Sequence, residues 1–198
     1  MADLLPPLAS ARELAAITGR SAADQNLVAA LRAASSRFRG KVGHSVSLAT
    51  ETLREFDGDG TSSLYLEAIP IVSVDALLVD DVALAAGTDY RVSKRAGLVK
   101  LTHGRFPRLL GCIQATYTHG YDATPDTDED VLPLPNMPGD IQTAVLELAQ
   151  TILTVTPGVQ AQTVLGDSIT FGAAATIGAT QQWSDTVAAY TVGRGDRA

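Results

Sequence analysis

The stretch Pro138-Gly139-Asp140-Ile141-Gln142-Thr143-Ala144-Val145-Leu146-Glu147-Leu148-Ala149-Gln150-Thr151-Ile152-Leu153-Thr154-Val155 decides the fold, because it brings helical periodicity back after a long segment that has none. Pro138 suits a helix start, where its missing N–H costs nothing, and Asp140 sits at the positive end of the helix dipole. Ile141, Ala144, Val145, Leu148, Ile152 and Val155 then form one apolar stripe before Pro157-Gly158 ends the run. A helix here needs partners, and the N-terminus supplies them. Ser10-Ala11-Arg12-Glu13 reads as a capping box for a short helix stopped by Gly19. Ser21-Ala22-Ala23-Asp24 opens a second, which carries Leu27, Val28, Leu31, Ser35, Phe38 and Val42 at three- and four-residue spacing to about Gly40. Its other side holds Arg32, Arg37, Arg39 and Lys41, read as a solvated face.

Between these helices the period changes. Val46 to Phe56, Ser62 to Glu67, Ile71 to Val79, Tyr90 to Ser93, Leu98 to Thr102 and Cys112 to Thr118 are short runs rich in β-branched and aromatic residues. Asp57-Gly58-Asp59-Gly60, Asp80-Asp81 and Arg95-Ala96-Gly97 supply reversals. The expected fold class is therefore α+β, a small α-helical bundle core with an inserted antiparallel β-module and an extended C-terminal tail. The expected divisions are N-terminal helices over 1–44, the β-module over 45–121, an acidic Pro-rich loop over 122–140, the main helix over 141–158, and a strand, helix and tail over 159–198. Thr163 to Phe171 alternates like one strand, Trp183 to Tyr190 like a last helix.

The chain has 198 residues, 45% hydrophobic and 19% charged, enough apolar content for a core. Its formal charge of −7 argues against a protein that grips nucleic acid by neutralising phosphates. The charge is uneven: the loop from Asp122 to Asp140 holds Asp126, Asp128, Glu129 and Asp130 among its acids and no basic residue. No segment reads as a signal peptide or a membrane span. One cysteine, Cys112, makes no internal disulfide, reads as a buried apolar residue, and with three histidines forms no zinc pattern.

Motifs that suggest chemistry fail on their partners. Gly166-Asp167-Ser168-Ile169-Thr170-Phe171-Gly172 looks like the nucleophile block of the SGNH/GDSL lipase and esterase family. That family places its serine early and a histidine after it, whereas here His44, His103 and His119 all precede Ser168. A serine without a base is a poor nucleophile. A serine esterase using Ser168 is the remote alternative. Asp57-Gly58-Asp59-Gly60 lacks the Gly and Glu that a calcium loop needs at its sixth and twelfth positions, where Ser62 and Ala68 stand, and reads as a hairpin turn. Arg194-Gly195-Asp196 is read as an accident of sequence. No catalytic, cofactor-binding or metal-ligating residue is assigned.

The order of segments is itself informative. Leu14-Ala15-Ala16-Ile17-Thr18-Gly19, Leu31-Arg32-Ala33-Ala34-Ser35-Ser36-Arg37-Phe38-Arg39, Phe56-Asp57-Gly58-Asp59-Gly60-Thr61, Leu64-Tyr65-Leu66, Ile69-Pro70-Ile71-Val72-Ser73-Val74, Tyr117-Thr118-His119-Gly120-Tyr121, Pro138-Gly139-Asp140-Ile141, Leu146-Glu147-Leu148-Ala149 and the Gly166–Gly172 block follow one another. In that order the chain resembles the head-to-tail connector, or portal adaptor, family of long-tailed double-stranded DNA bacteriophages, of the actinobacteriophage type. The resemblance implies a structural virion protein without chemistry of its own. Copies would form a ring, a dodecamer, below the portal protein in the head–tail neck after assembly in the host cytoplasm. The ring would extend a channel that DNA passes without specific binding, and would dock a stopper or tail-completion protein. A tail-completion or stopper role in the same neck is the alternative. Trp183, Tyr190, Arg194 and Arg197 become candidate portal contacts, and the acidic residues Asp126, Asp128, Glu129 and Asp130 a candidate channel or inter-subunit loop.

Overall fold

The computed structural model describes residues 5–123, 134, 136–154, 161–164, 167–170 and 180–191, with backbone alone for 161–164 and 167–170. The fold is α+β. The described residues form helices α1 (Ala11–Thr18), α2 (Gln25–Val42), α3 (Gly139–Thr154) and α4 (Gln181–Tyr190). The strands are β1 (Ala49–Phe56), β2 (Ser63–Tyr65), β3 (Ile71–Val79), β4 (Val82–Ala83), β5 (Tyr90–Ser93), β6 (Leu98–Leu101), β7 (Ile113–His119), β8 (Ala161–Val164) and β9 (Asp167–Thr170). They divide into two compact units, one within Met1–Val42 and Ala123–Thr191, the other within Gly43–Asp122.

In the helical unit the caps are set by local chemistry. Ser10 Oγ accepts from Arg12 N at 3.2 Å, two residues on and not three, and Glu13 Oε2 is buried without a partner among the described residues, so Ser10 caps α1 without the expected box. Gly19 closes the helix in the left-handed region at φ 66°. Asp24 Oδ1 accepts from Asn26 N at 2.9 Å at the entry to α2. That helix runs through Gly40 and ends at Val42, two residues beyond the expected stop, because Gly40 meets no side chain and Gly43 supplies the positive φ of 87°. α2 packs on α3, and α1 and α4 each touch both. Leu14, Leu27, Leu31, Phe38, Ile141, Val145, Leu148 and Trp183 are all buried. Ala30 and Ala34 join the buried face of α2 that the periodicity drew with larger residues. One member of the supposed solvated face belongs elsewhere. Arg39 is partly buried and its guanidinium donates to Pro6 O, while Ser35 Oγ accepts from Leu8 N at 3.0 Å, so α2 fastens the N-terminal segment. Burial pulls the Arg39 guanidinium down to about 10, still charged at neutral pH.

The second unit holds two antiparallel sheets, ordered β1-β7-β3-β4 and β2-β6-β5. β7 alternates buried and half-buried residues along its length, as a central strand with one face on a core should. Phe56, Leu64, Leu66, Ile71, Leu77, Tyr90, Val99, Phe106, Cys112, Ile113, Ala115 and Tyr117 form that core. Cys112 is thus a buried apolar residue as read. Asp80 and Asp81, at φ 49° and 63°, make a two-residue turn into β4, a strand too short to show in the sequence pattern.

Asp57-Gly58-Asp59-Gly60 is not a hairpin. β1 pairs with β7 and β2 with β6, so this segment crosses between sheets. Gly58 N donates to Leu109 O at 2.8 Å, and Gly111 N donates to Asp57 Oδ1 at 2.8 Å. A Cβ on Gly58 would lie 1.9 Å from Pro107 O, which explains the glycine without a turn. Likewise the single strand expected over Thr163 to Phe171 is a hairpin of β8 and β9, with Val164 facing Asp167.

Candidate functional site

Two places concentrate polar groups in or beside a packed core. The first is the start of α3. Gln142 is 5% exposed, and its amide is saturated: Nε2 donates to Leu134 O at 2.9 Å and Met137 O at 2.8 Å, and Oε1 accepts from Leu134 N at 2.8 Å. A buried amide left without partners would cost about 1–3 kcal/mol per group. Here it clamps the last residues before the helix onto α3, with Leu134 and Met137 buried over it. Asp140 Oδ1 accepts from Ile141 N at 2.9 Å and from the Tyr190 hydroxyl at 3.0 Å, so the end of α4 is tied to the beginning of α3.

α4 itself is capped by Thr180, whose Oγ1 accepts from Trp183 N at 3.1 Å. The Trp183 ring meets Phe38 of α2 edge-on, centroids 5.4 Å apart and planes at 87°, and is 6% exposed. Of the candidate portal contacts, the structure therefore places Trp183 inside the helical unit and Tyr190 at its margin. Arg194 and Arg197 lie outside the described residues, as do Asp126, Asp128, Glu129 and Asp130.

The second place is the end of β7. His119 is 2% exposed, its ring 5.6 Å from Tyr117, with Nε2 3.7 Å from Glu51 Oε1 and Nδ1 without a hydrogen-bond partner among the described residues. Desolvation holds its pKa below the ordinary 6.5, only partly offset by the Glu51 carboxylate. Burial pushes the Tyr117 phenol up to about 12. A histidine kept neutral by the fold makes stability whole above its ordinary pKa and erodes it as pH falls through the depressed folded value, since the unfolded chain takes the proton first. Melting temperatures should therefore fall below about pH 6.5, and His119→Phe should flatten that part of the profile. An unchanged slope in the variant would contradict this.

Ser168 stands on β9, and residues 1–42 and 123–191 of its unit contain no histidine, so an imidazole base is missing from that unit. No group of three or more His, Cys, Asp or Glu among the described residues could hold a metal ion. No described helix is long and apolar enough to cross a membrane. Sequence reasoning missed the Gln142 clamp, because a glutamine beside an apolar stripe gives no sign that it is buried or of which carbonyls it will meet. It also missed the exposed apolar residues of the β-unit, among them Leu53, Tyr65, Val82, Leu109 and Leu110, which only the three-dimensional arrangement sorts from the core.

No family model matches the sequence. No curated protein matches it either. Solved structures do. The chain is similar to a protein in the neck of a native gene transfer agent particle computed with C12 symmetry, at 21% identity and a TM-score of 0.49, covering 79% of this chain and 85% of that one. A second, from the neck of the empty particle computed with C6 symmetry, gives 24% identity and a TM-score of 0.47 over 79% and 76%. A third, from the virion of the native particle, gives 20% and 0.45 over 72% and 73%. At these values the likeness assigns no function to this chain.

Proposed function

We propose that this chain is a structural neck protein of a phage-like particle, of the head-to-tail adaptor type, acting by assembly and not by chemistry. The observation that carries the proposal is where the family-like segments fall. They include positions at which the backbone is constrained: the left-handed Gly19 that ends α1, Gly58 against Pro107 O, Gly120 against Ser47 O, and Pro138, whose carbonyl accepts from Gln142 N at the start of α3. An ordered set of segments, several of them at such positions in this chain, is a stronger basis than any one motif. The adaptor is favoured over the stopper because the stopper reading called for a structure dominated by β-strands, and the described residues include four helices.

In this reading twelve copies close a ring on the portal protein, extend the DNA channel, and present a face to the stopper or tail-completion protein. The acidic segment Asp126–Asp130 lines the channel or meets a neighbouring subunit. Portal attachment runs through the C-terminal region, with Tyr190, Arg194 and Arg197 as contacts and Trp183 anchoring α4 from within. The test is capture by the cognate portal. The full chain should co-sediment with portal, and deleting residues 193–198, which carry no apolar face, should weaken binding at least tenfold while leaving the melting temperature unchanged. Equal binding by the truncated chain would remove the tail from the interface, and no binding by the full chain would overturn the adaptor reading.

A further inference from the structure

We infer that the outward face of the β2-β6-β5 sheet docks a second copy of this chain, receiving the acidic β3–β4 turn of that copy. This rests on the ring proposed above and names the surfaces that would make it.

The charge of the β-unit is segregated. Residues 90–111 carry six basic residues and no acidic one, whereas residues 43–89 carry nine acidic residues and one basic, Arg54. Register turns this into geometry. Arg91 lies directly opposite Lys100, and their neighbours Tyr90 and Val99 are buried, so the two cations stand side by side on the outward face. Like charges directly opposite each other destabilise a sheet. Both are exposed, and neither forms an ion pair among the described residues. In the next row Tyr65 faces Leu98, with Tyr65 48% exposed, and Ser63 stands beside Lys100. Two uncompensated cations next to an open tyrosine match the arginine and aromatic enrichment of protein interfaces.

Such a face calls for carboxylates with an apolar residue beside them, and the same unit supplies them. Asp80 and Asp81 project at the β3–β4 turn, both exposed, followed by Val82 at 63% exposure, and residues 71–89 include no basic residue. The basic sheet face and the acidic turn are two different patches of one surface. A contact between them is head-to-tail, the kind that closes into a ring when the rotation allows.

The experiment uses the full chain, half of it labelled with ¹⁵N, treated with a zero-length carbodiimide that joins lysine to carboxylate. Lys41, Lys94 and Lys100 are the only lysines, so the products are few. The expected product is a mixed-label link from Lys100 to Asp80 or Asp81. In sedimentation, Arg91→Glu should weaken self-association at least tenfold yet melt no lower than wild type, because it places opposite charges across the strand pair. Asp80→Asn with Asp81→Asn, which tolerates the same left-handed turn, should weaken association similarly. Wild-type oligomers that Arg91→Glu leaves intact would overturn this inference and leave the neck reading standing. So would a Lys100 link to Asp126–Asp130, or loss of duplex DNA binding in Arg91→Glu with association unchanged, which would assign the face to DNA. No self-association with or without portal would overturn both.

Discussion

Gly120→Ala should unfold the β-unit, at a cost above about 3 kcal/mol. Two effects add. Gly120 has a φ of 93°, which an L side chain rarely adopts, and a Cβ there would lie 2.3 Å from Ser47 O and 2.7 Å from Val46 O. Those atoms are backbone, so no side chain can swing away. They are also held in place: Gly120 N donates to Pro70 O at 2.9 Å, Tyr121 N to Val46 O at 2.8 Å, and Leu48 N to Tyr121 O at 2.7 Å. Relief would require opening the strap that ties the start of β1 to the end of β7. Gly104→Ala is the control, since its φ of 77° is similarly positive but nothing lies within 4 Å of the added atom, leaving only backbone strain of about 1–2 kcal/mol. Urea denaturation of the three proteins decides, and a Gly120→Ala midpoint equal to that of Gly104→Ala would show that the close approach does not matter.

Trp183→Ala should cost about 3–5 kcal/mol and release α4 from the helical unit. The indole fills the space beside Phe38, and α4 packs on both α2 and α3, so truncation leaves a cavity lined by two other helices. Tyr190→Phe removes one hydrogen bond to Asp140 at the margin and should cost under about 1 kcal/mol. Trp183 is the only tryptophan in the chain, so its emission reports this one site: blue-shifted in the native protein, and shifting red as α4 leaves. Helicity followed by circular dichroism measures the alanine variant. If Trp183→Ala melted with wild type while losing portal affinity, the residue would be a partner contact and not a structural anchor.

Features set by near neighbours were legible in the sequence. The Ser10 cap, the Gly19 stop, the α3 stripe and the alternation of β7 depend on residues a few positions apart, and each element forms where its pattern lies, α3 as far as Thr154, with Val155 and the expected Pro157-Gly158 stop outside the described residues. What escaped depends on distant partners. Asp57–Gly60 carries hairpin residues, yet Gly58 is needed for a backbone close to Pro107, almost fifty positions away in sequence. Arg39 fits a solvated helix face by periodicity, but Pro6 O captures it. Val82–Ala83 is too short to show alternation, and β8 and β9 read as one run because only two positions separate them in the sequence. Gln142 is informative only once Leu134 and Met137 are seen folded over it. The charge of the β-unit shows the same limit. Counted over residues 57–121 it nearly cancels, and only the strand register shows that Arg91 and Lys100 share a face.

The central claim, a ring-forming neck adaptor, is tested most directly by electron microscopy of the full chain co-expressed with its portal protein, combined with the mass of the complex. The expected image is a second ring of twelve copies stacked coaxially on the portal, its channel continuous with the portal channel. Portal particles that remain bare at saturating concentrations of this protein, or that carry scattered single copies without closure, would contradict it.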